Sequence, residues 1–363
     1  MTIKSIRVAV GLSGGVDSSV AAALLQREGY DVIGITMEIF DGALGVKETT
    51  RHACYGPGEK EDVEAAASVC KTLGIPFQVI DLRKEYAYHV VDYVRREYLE
   101  GRTPNPCVVC NERLKFGFLL ERAREAGLKF DFFATGHYAK VENNGDRFLL
   151  KRAFDRSKDQ TYFLYALPRE RLSRLLFPLG SYTKEQVREM GRSFGLETAD
   201  RPESQDFIGG GDYSSLFNDA EIKKGQIVNE EGHILGNHRG IIYYTLGQRR
   251  GLGIASERPL YVLKIDAAKN RLVVGHKSRL FSRGLIATDT NLIPVDTLER
   301  EYGVTAKIRL NHRGAHATVV PHGKNKAMIR FDEPQLAVTP GQAVVLYLDD
   351  IVFGGGTIER TLG

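Results

Sequence analysis

The segment Gly11-Leu12-Ser13-Gly14-Gly15-Val16-Asp17-Ser18-Ser19 limits the possible folds more than any other part of the chain. Before it, Ile6, Val8 and Val10 alternate with Arg7 and Ala9, as in a half-buried strand. After it, Val16, Val20 and Leu24 recur every four residues with Ala21 and Leu25 alongside, as on one face of a helix. A strand, a glycine-rich turn and a helix start make an anion site. Gly14 and Gly15 allow a tight backbone path with no side chain in the way. The first N–H groups of the helix lack intrahelical partners and can bind phosphate oxygens, helped by the helix dipole. Ser13, Ser18 and Ser19 can add hydroxyl donors. No Gly-Lys-Ser/Thr follows, so this is not a Walker A loop. Asp17 stands where a cation is expected, which suits a residue that holds Mg2+ beside phosphates.

Strands alternate with helices through the first half. Val32–Met37, Pro76–Leu82 and Phe132–Thr135 read as strands; 61–73, 85–99 and 114–126 read as helices. This alternation predicts an α/β fold with a parallel sheet, whose ligands bind at the C-terminal ends of the strands. Ser13, Met37, the Cys54 region and His137 then share one rim. A hairpin over 139–151, a helix over 159–167 and a helix over 183–194 follow, the last with a Thr183/Gln186 capping box. Helical periodicity fades near 205 and short alternating strands dominate from 286. We expect domains at 1–205, 206–283 and 284–363: a catalytic domain, a small mixed or β central domain, and a C-terminal β-barrel.

The 363 residues leave ample room for two or three cores. A net charge of +4 permits a nucleic-acid partner without demanding one. No apolar run approaches the ~20 residues of a membrane span, and the start of the chain has no leader pattern, so a cytoplasmic location is expected. Four cysteines in a chain this long do not make a disulfide framework and are better read as catalytic, metal-binding or buried. Cys107 and Cys110 form Cys-x-x-Cys in the proline-stiffened loop 101–111, with Lys115 just beyond. Positive charge and a helix start favour thiolates there. Cys54 falls on the same expected rim, whereas Cys70 reads as packing within an amphipathic helix.

The first motif resembles the PP-loop of ATP pyrophosphatases (adenine nucleotide alpha hydrolase-like), which cleave ATP to AMP and pyrophosphate. Over nearly its full length the chain resembles the tRNA-specific 2-thiouridylases, the tRNA-uridine 2-sulfurtransferases. The resemblance rests on the PP-loop and on Gly101-Arg102-Thr103-Pro104-Asn105-Pro106, Ala134-Thr135-Gly136-His137-Tyr138 and Lys158-Asp159-Gln160-Thr161-Tyr162-Phe163-Leu164. It continues in Tyr244-Thr245-Leu246-Gly247-Gln248-Arg249-Arg250-Gly251 and Val338-Thr339-Pro340-Gly341-Gln342.

The resemblance implies a two-step reaction. ATP binds on Gly11, Leu12, Ser13, Gly14, Gly15, Val16, Asp17 and Ser18, with Met37 near adenine and Gly136 near the nucleotide. O2 of the tRNA wobble uridine is adenylated, sulfur attacks C2, and AMP leaves. The implied tRNA contacts are Asn105, Pro106, Cys107, His137, Lys158, Asp159, Gln160, Arg309, Leu310 and Gln342. The implied substrates are tRNAs for Glu, Gln and Lys. The implied sulfur source is a relay protein, a cysteine desulfurase or free sulfide.

The chain departs from the family at the chemistry. Cys110 matches the family's nucleophile, but Cys107 stands where the family has Asp. The later segment Glu203-Ser204-Gln205-Asp206-Phe207 lacks the second family cysteine, and no cysteine follows Cys110. Two sulfur routes remain. Cys54, Cys107 and Cys110 can hold a [4Fe–4S] cluster with one open iron, as in related tRNA-thiolating PP-loop enzymes. Alternatively, Cys107 and Cys110 carry and resolve a persulfide between them. Other readings are a PP-loop ligase or amidotransferase, or a non-catalytic ATP-dependent tRNA-binding module.

Overall fold

The computed structural model describes residues 6–42, 46, 53–202, 206–208 and 213–363. The expected boundary at 205 and the Glu203-Ser204-Gln205 stretch lie outside the described residues. The chain separates into two compact units, one of residues 1–89, 107–212 and 350–352, the other of 90–106, 213–349 and 353–363.

The first unit is built on a five-stranded parallel sheet. Strand β1 (Arg7–Gly11) runs into helix α1 (Val16–Arg27), then β2 (Asp31–Glu38), helix α2 (Glu59–Leu73) and β3 (Phe77–Asp81). Strands β4 (Phe132–Thr135) and β5 (Leu175–Leu176) and helix α3 (Lys184–Ser193) come later. The strand order is β3-β2-β1-β4-β5, all parallel, with Gly11 opposite both Ile35 and Thr135. The chain winds one way from β1 and then the other, so the order reverses between β1 and β4. Ligands of open α/β sheets bind in the crevice at that reversal, beyond the strand C-termini.

Helix α1 is apolar on nearly every side because it is enclosed. Ala22 and Leu25 pack with Val8, Val10 and Val32 of the sheet and with Ala66 and Cys70 of α2. Val16, Val20 and Ala21 pack with Val187 of α3. Cys70 is a packing residue, as expected, and burial pushes its thiol pKa up to about 12.

Three local expectations change. Residues 159–167 contain only a 3-10 turn, Thr161–Phe163, rather than a helix. The Asp159 carboxylate there accepts from Ala153 N at 3.2 Å and Thr161 Oγ1 at 3.0 Å, a local alternative to helical pairing. The proline-bearing loop ends earlier than predicted, because Pro106–Val109 is already helical and passes into a π-helical run, Cys110–Phe118. Proline is tolerated at a first helical position, where its missing N–H costs nothing. The predicted helix 85–99 is interrupted by a π-helical segment, Ala87–Val91.

In the second unit, six strands form a closed barrel. Their order is Phe281–Leu292, Lys326–Leu336, Ala315–Pro321, Tyr302–Lys307, Ala343–Leu348 and Ile351–Leu362, with the first and last also paired. Alternate residues point inward: Leu285 and Ala287, Val304 and Ala306, Ala317 and Val319, Val344 and Leu346. A four-stranded sheet pairs Ile234–His238, Gly225–Val228, Arg271–Gly275 and Tyr261–Asp266 in that order. Residues 90–106 belong to this unit through specific bonds. Arg95 pairs with Glu221 at 2.9 Å, Thr103 N donates to Pro340 O at 3.0 Å, and Gln342 Nε2 donates to Thr103 O and Pro104 O. Among the described residues no helix is long and apolar enough to cross a membrane.

Phe353 is fully buried in the barrel core, its ring 4.9 Å from Tyr302. Phe353→Ala is expected to destabilise the barrel by about 3–5 kcal/mol, read as a fall in the urea midpoint followed by circular dichroism. An unchanged midpoint would contradict this account of the barrel interior.

Candidate active site

The turn between β1 and α1 is tied to its surroundings at almost every residue. Leu12 N donates to Ile35 O at 2.8 Å, and Thr36 Oγ1 donates to Leu12 O at 2.7 Å. Gly14 has φ +72°, and a Cβ there would lie 2.5 Å from Asp62 O, so the position requires glycine twice over. Arg201 clamps the turn: Nη1 donates to Gly14 O at 2.8 Å, and Nη2 pairs with Asp62 Oδ1 at 3.0 Å. Gly15 precedes α1 in extended conformation and offers no side-chain cap. The first-turn N–H groups of α1 are therefore not capped by their own N-terminal residue, the arrangement that anions exploit. The serine hydroxyls are partly committed: Ser18 Oγ and Ser19 Oγ donate to Gly15 O at 3.1 and 2.9 Å, and Ser13 N donates to Ser18 Oγ at 3.1 Å.

The far wall comes from the residues after β4. A Cβ on Gly136 would lie 2.5 Å from Ser18 N and 2.6 Å from the Asp17 carbonyl carbon. Only glycine lets this strand end approach the start of α1. His137 Nδ1 lies 2.7 Å from Thr135 Oγ1. Burial, and then the charge of Lys115, hold its pKa well below the usual histidine value. It is a neutral ring at pH 7, suited to hydrogen bonding rather than to pairing with phosphate. Met37, at the end of β2 and half-buried, lies on the same rim.

The cation missing from the loop sequence comes from elsewhere in the chain. Lys184 Nζ lies 2.8 Å from both carboxylate oxygens of Asp17, and Tyr138 Oη donates to Asp17 Oδ1 at 2.9 Å. Neither Lys184 nor Arg201 stands out in the sequence as a site residue. Lys184 left one trace. The capping box puts it at the first position of α3, where the helix dipole disfavours a positive charge, so a partner outside the helix was to be expected. Arg201 left none.

The three candidate thiols gather around shared neighbours. Cys54 is exposed, and Cys107 and Cys110 are half-buried at the start of the helical run that includes Lys115 and Phe116. Burial raises the Tyr86 hydroxyl pKa well above its usual value, and the charges of Cys110, Cys54 and Cys107 raise it further. Burial works to lower Lys115, but Cys110, Cys54 and Cys107 together hold it above the ordinary lysine value. The expected low-pKa thiol is not what burial produces at Cys110: its pKa is pushed up to about 11, with Lys115 pulling the other way and Cys54 adding to the rise. Phe116 packs against Phe133 of β4 at 5.5 Å and against His137 at 5.8 Å. A contiguous path of contacts thus joins the cysteine helix to His137, and Gly136 joins α1.

The other predicted contacts are dispersed. Asp159 is held internally by Arg152 Nε at 3.0 Å and by Thr161. Gln160 exchanges two hydrogen bonds with the Tyr138 backbone, at 2.9 and 3.0 Å, and Lys158 beside them is half-buried. In the second unit, Asn105 N donates to Tyr93 Oη at 3.3 Å, Pro106 opens a helix, and the Gln342 amide bonds the Thr103 and Pro104 carbonyls. Arg309 and Leu310 are exposed on the turn after Tyr302–Lys307. Arg309 Nη1 donates to Leu336 O at 3.1 Å.

Gly136→Ala would drive a methyl group into the backbone of Asp17 and Ser18. Overpacking costs about 1–3 kcal/mol, so ATP binding, measured by calorimetry, is expected to fall roughly tenfold to a hundredfold while circular dichroism is unchanged. Wild-type affinity in this variant would separate Gly136 from the site.

Three family models match successive parts of the chain. They are the tRNA methyl transferase HUP domain over residues 6–209, the tRNA methyl transferase PRC-barrel domain over 216–276 and the Aminomethyltransferase beta-barrel domain over 282–358. The chain is 46% identical over 364 residues to tRNA-specific 2-thiouridylase MnmA 2 of Thermoanaerobacter pseudethanolicus, covering 98% of each chain. It is 47% identical over 363 residues to tRNA-specific 2-thiouridylase MnmA of Carboxydothermus hydrogenoformans, again covering 98% of each. The corresponding protein of Clostridium beijerinckii is 46% identical over 361 residues, with 98% of this chain and 99% of that one covered. Identity at this level, sustained from one end to the other, means that the chain belongs to the tRNA-specific 2-thiouridylase family.

Proposed function

We propose that the protein is a tRNA-uridine 2-sulfurtransferase that makes 2-thiouridine at the wobble position. ATP binds as its Mg2+ complex on Gly11 to Ser18, with Met37 toward adenine and Gly136 against the nucleotide. The uridine leaves its stack to be reached. Its O2 attacks the α-phosphorus and pyrophosphate departs, stabilised by the N–H groups at the start of α1. Sulfur then attacks C2, and AMP leaves with the former O2. The observation that carries this reading is the path from Cys110 through Phe116 and His137 to Gly136 and α1, which gathers thiols and nucleotide cradle on one rim of one unit. His137 and Cys107 are proposed to face the target base, and Asn105 and Pro106 are proposed tRNA-side residues. Lys158, Asp159, Gln160, Arg309, Leu310 and Gln342 are proposed tRNA-side residues. For Asp159, Gln160 and Gln342 the bonds above make that role one of shaping the backbone. The division into catalytic 1–205, central 206–283 and barrel 284–363 segments belongs to the same proposal, as do cytoplasmic location, the tRNAs for Glu, Gln and Lys, and a relay protein, cysteine desulfurase or sulfide as donor.

For the sulfur step we favour a [4Fe–4S] cluster on Cys54, Cys107 and Cys110. The donor set fits in kind, being three soft thiols around one tyrosine and one lysine. When bound, such a cluster supplies hydrosulfide at its open iron. Lys115 offsets thiolate charge, and the buried Tyr86 walls the site. A second reading has its own support: among the described residues no three His, Cys, Asp or Glu side chains are already grouped to hold a metal ion. In that reading Cys110 carries the persulfide and its outer sulfur attacks C2. Cys107 then attacks the Cys110 sulfur, forming a disulfide and releasing the thiolated base, and an external thiol reduces the disulfide.

The two routes separate cleanly. The cluster predicts iron and acid-labile sulfide in protein purified without oxygen, and loss of thiolation in Cys54→Ala. Iron-free protein that thiolates tRNA, or a fully active Cys54→Ala, would leave only the persulfide. Arg309→Ala is expected to weaken tRNA binding and reduce its salt dependence by about one phosphate contact, with ATP binding intact; unchanged tRNA affinity would remove the barrel turn from the interface.

A further inference from the structure

We propose that Lys184 is a positioning residue for nucleotide activation. It fixes the Asp17 carboxylate and cancels its charge, so that a polyphosphate can settle against the first turn of α1. The proposal rests on the assignment of that turn as the ATP site.

Asp17 lies in the first turn of α1, beside the N–H groups that would meet phosphate. An uncompensated carboxylate there would repel a ligand carrying several negative charges. At an effective dielectric near 20, each such contact over a few ångströms is worth several kcal/mol. The structure places an ammonium against it. Lys184 Nζ is 2.8 Å from both Asp17 oxygens, with the lysine side chain 6% exposed and the aspartate 30% exposed. Tyr138 Oη occupies a further acceptor direction of Oδ1 at 2.9 Å. The carboxylate is thus oriented by two donors from distant parts of the chain.

The lysine is held in place as firmly as it holds the aspartate. Thr183 Oγ1 accepts from Gln186 N at 3.3 Å, Gln186 Oε1 accepts from Thr183 N at 2.9 Å, and Asp155 accepts from Lys184 N at 3.2 Å. Gly191 eases the approach of α3 to α1: a Cβ there would lie 3.2 Å from Val16 and 3.5 Å from Val20. A positive charge at the first position of a helix opposes its dipole, and a buried ammonium requires a partner. Both costs are met at Asp17. A pair of this kind could serve stability alone, and restoring the charge with arginine distinguishes the two roles.

Mg2+ and ATP are titrated calorimetrically into wild type, Lys184→Met and Lys184→Arg, with circular dichroism as the fold check and tRNA binding as the control. Lys184→Met is expected to bind ATP roughly tenfold to a hundredfold more weakly, with tRNA affinity unchanged. Lys184→Arg, which keeps a cation against Asp17, is expected to stay within about threefold of wild type. A folded Lys184→Met with wild-type ATP affinity overturns the proposal, and so does a Lys184→Arg as weak as Lys184→Met. Should Lys184→Met fail to fold, Lys184→Gln decides: roughly tenfold weaker binding supports the proposal and wild-type affinity defeats it. Failure of wild type to bind ATP would instead defeat the nucleotide assignment.

Discussion

The backbone N–H groups at the start of α1 have no partner within the helix, and the glycines around them bring the neighbouring backbone close. Helix α1 begins where the strand order reverses, between β1 and β4, so the crevice that opens there is bounded by the Gly11–Gly15 turn and by Gly136. Gly14 is pressed against α2 and Gly136 against α1 itself, at separations no side chain tolerates. Arg201 and Thr36 donate to two of the turn's carbonyls, those of Gly14 and Leu12. The turn's backbone is bonded and packed on both sides, as the proposed binding of developing charge requires.

The electrostatics follow the same economy. One buried lysine, Lys184, is spent on Asp17, and a half-buried one, Lys115, on the thiols; each is held by negative or potentially negative groups in its own unit. Burial raises the Cys110 thiol against the pull of Lys115.

Much of this was legible from one dimension. The strand–turn–helix order, the parallel sheet, the capping box before Lys184 and the alternating barrel strands all arise from local periodicity and turn chemistry, which are written in consecutive residues. Where reading failed, a distant partner or a single side chain had overruled the local pattern. The stretch 159–167 looks helical, but the Asp159 carboxylate captures the N–H groups of Ala153 and Thr161. Strand β5 is two residues long and exists only because β4 offers it an edge. The first cysteine falls inside a helix because Pro106 starts one where a loop was expected.

Sequence alone determined that a glycine-rich turn would join the first strand to a helix, that Cys107 and Cys110 would share one short segment, and that the chain would end in a small β-barrel. Each of these depends on neighbours a few residues apart. Tertiary structure decided the charge balance. Asp17 and Lys184 are separated by most of the first unit's sequence, as are Gly14 and Arg201, and no spacing rule connects them. Only the packing of α3 on α1 brings the ammonium to the carboxylate, because a buried charge is tolerated only where the fold supplies its opposite.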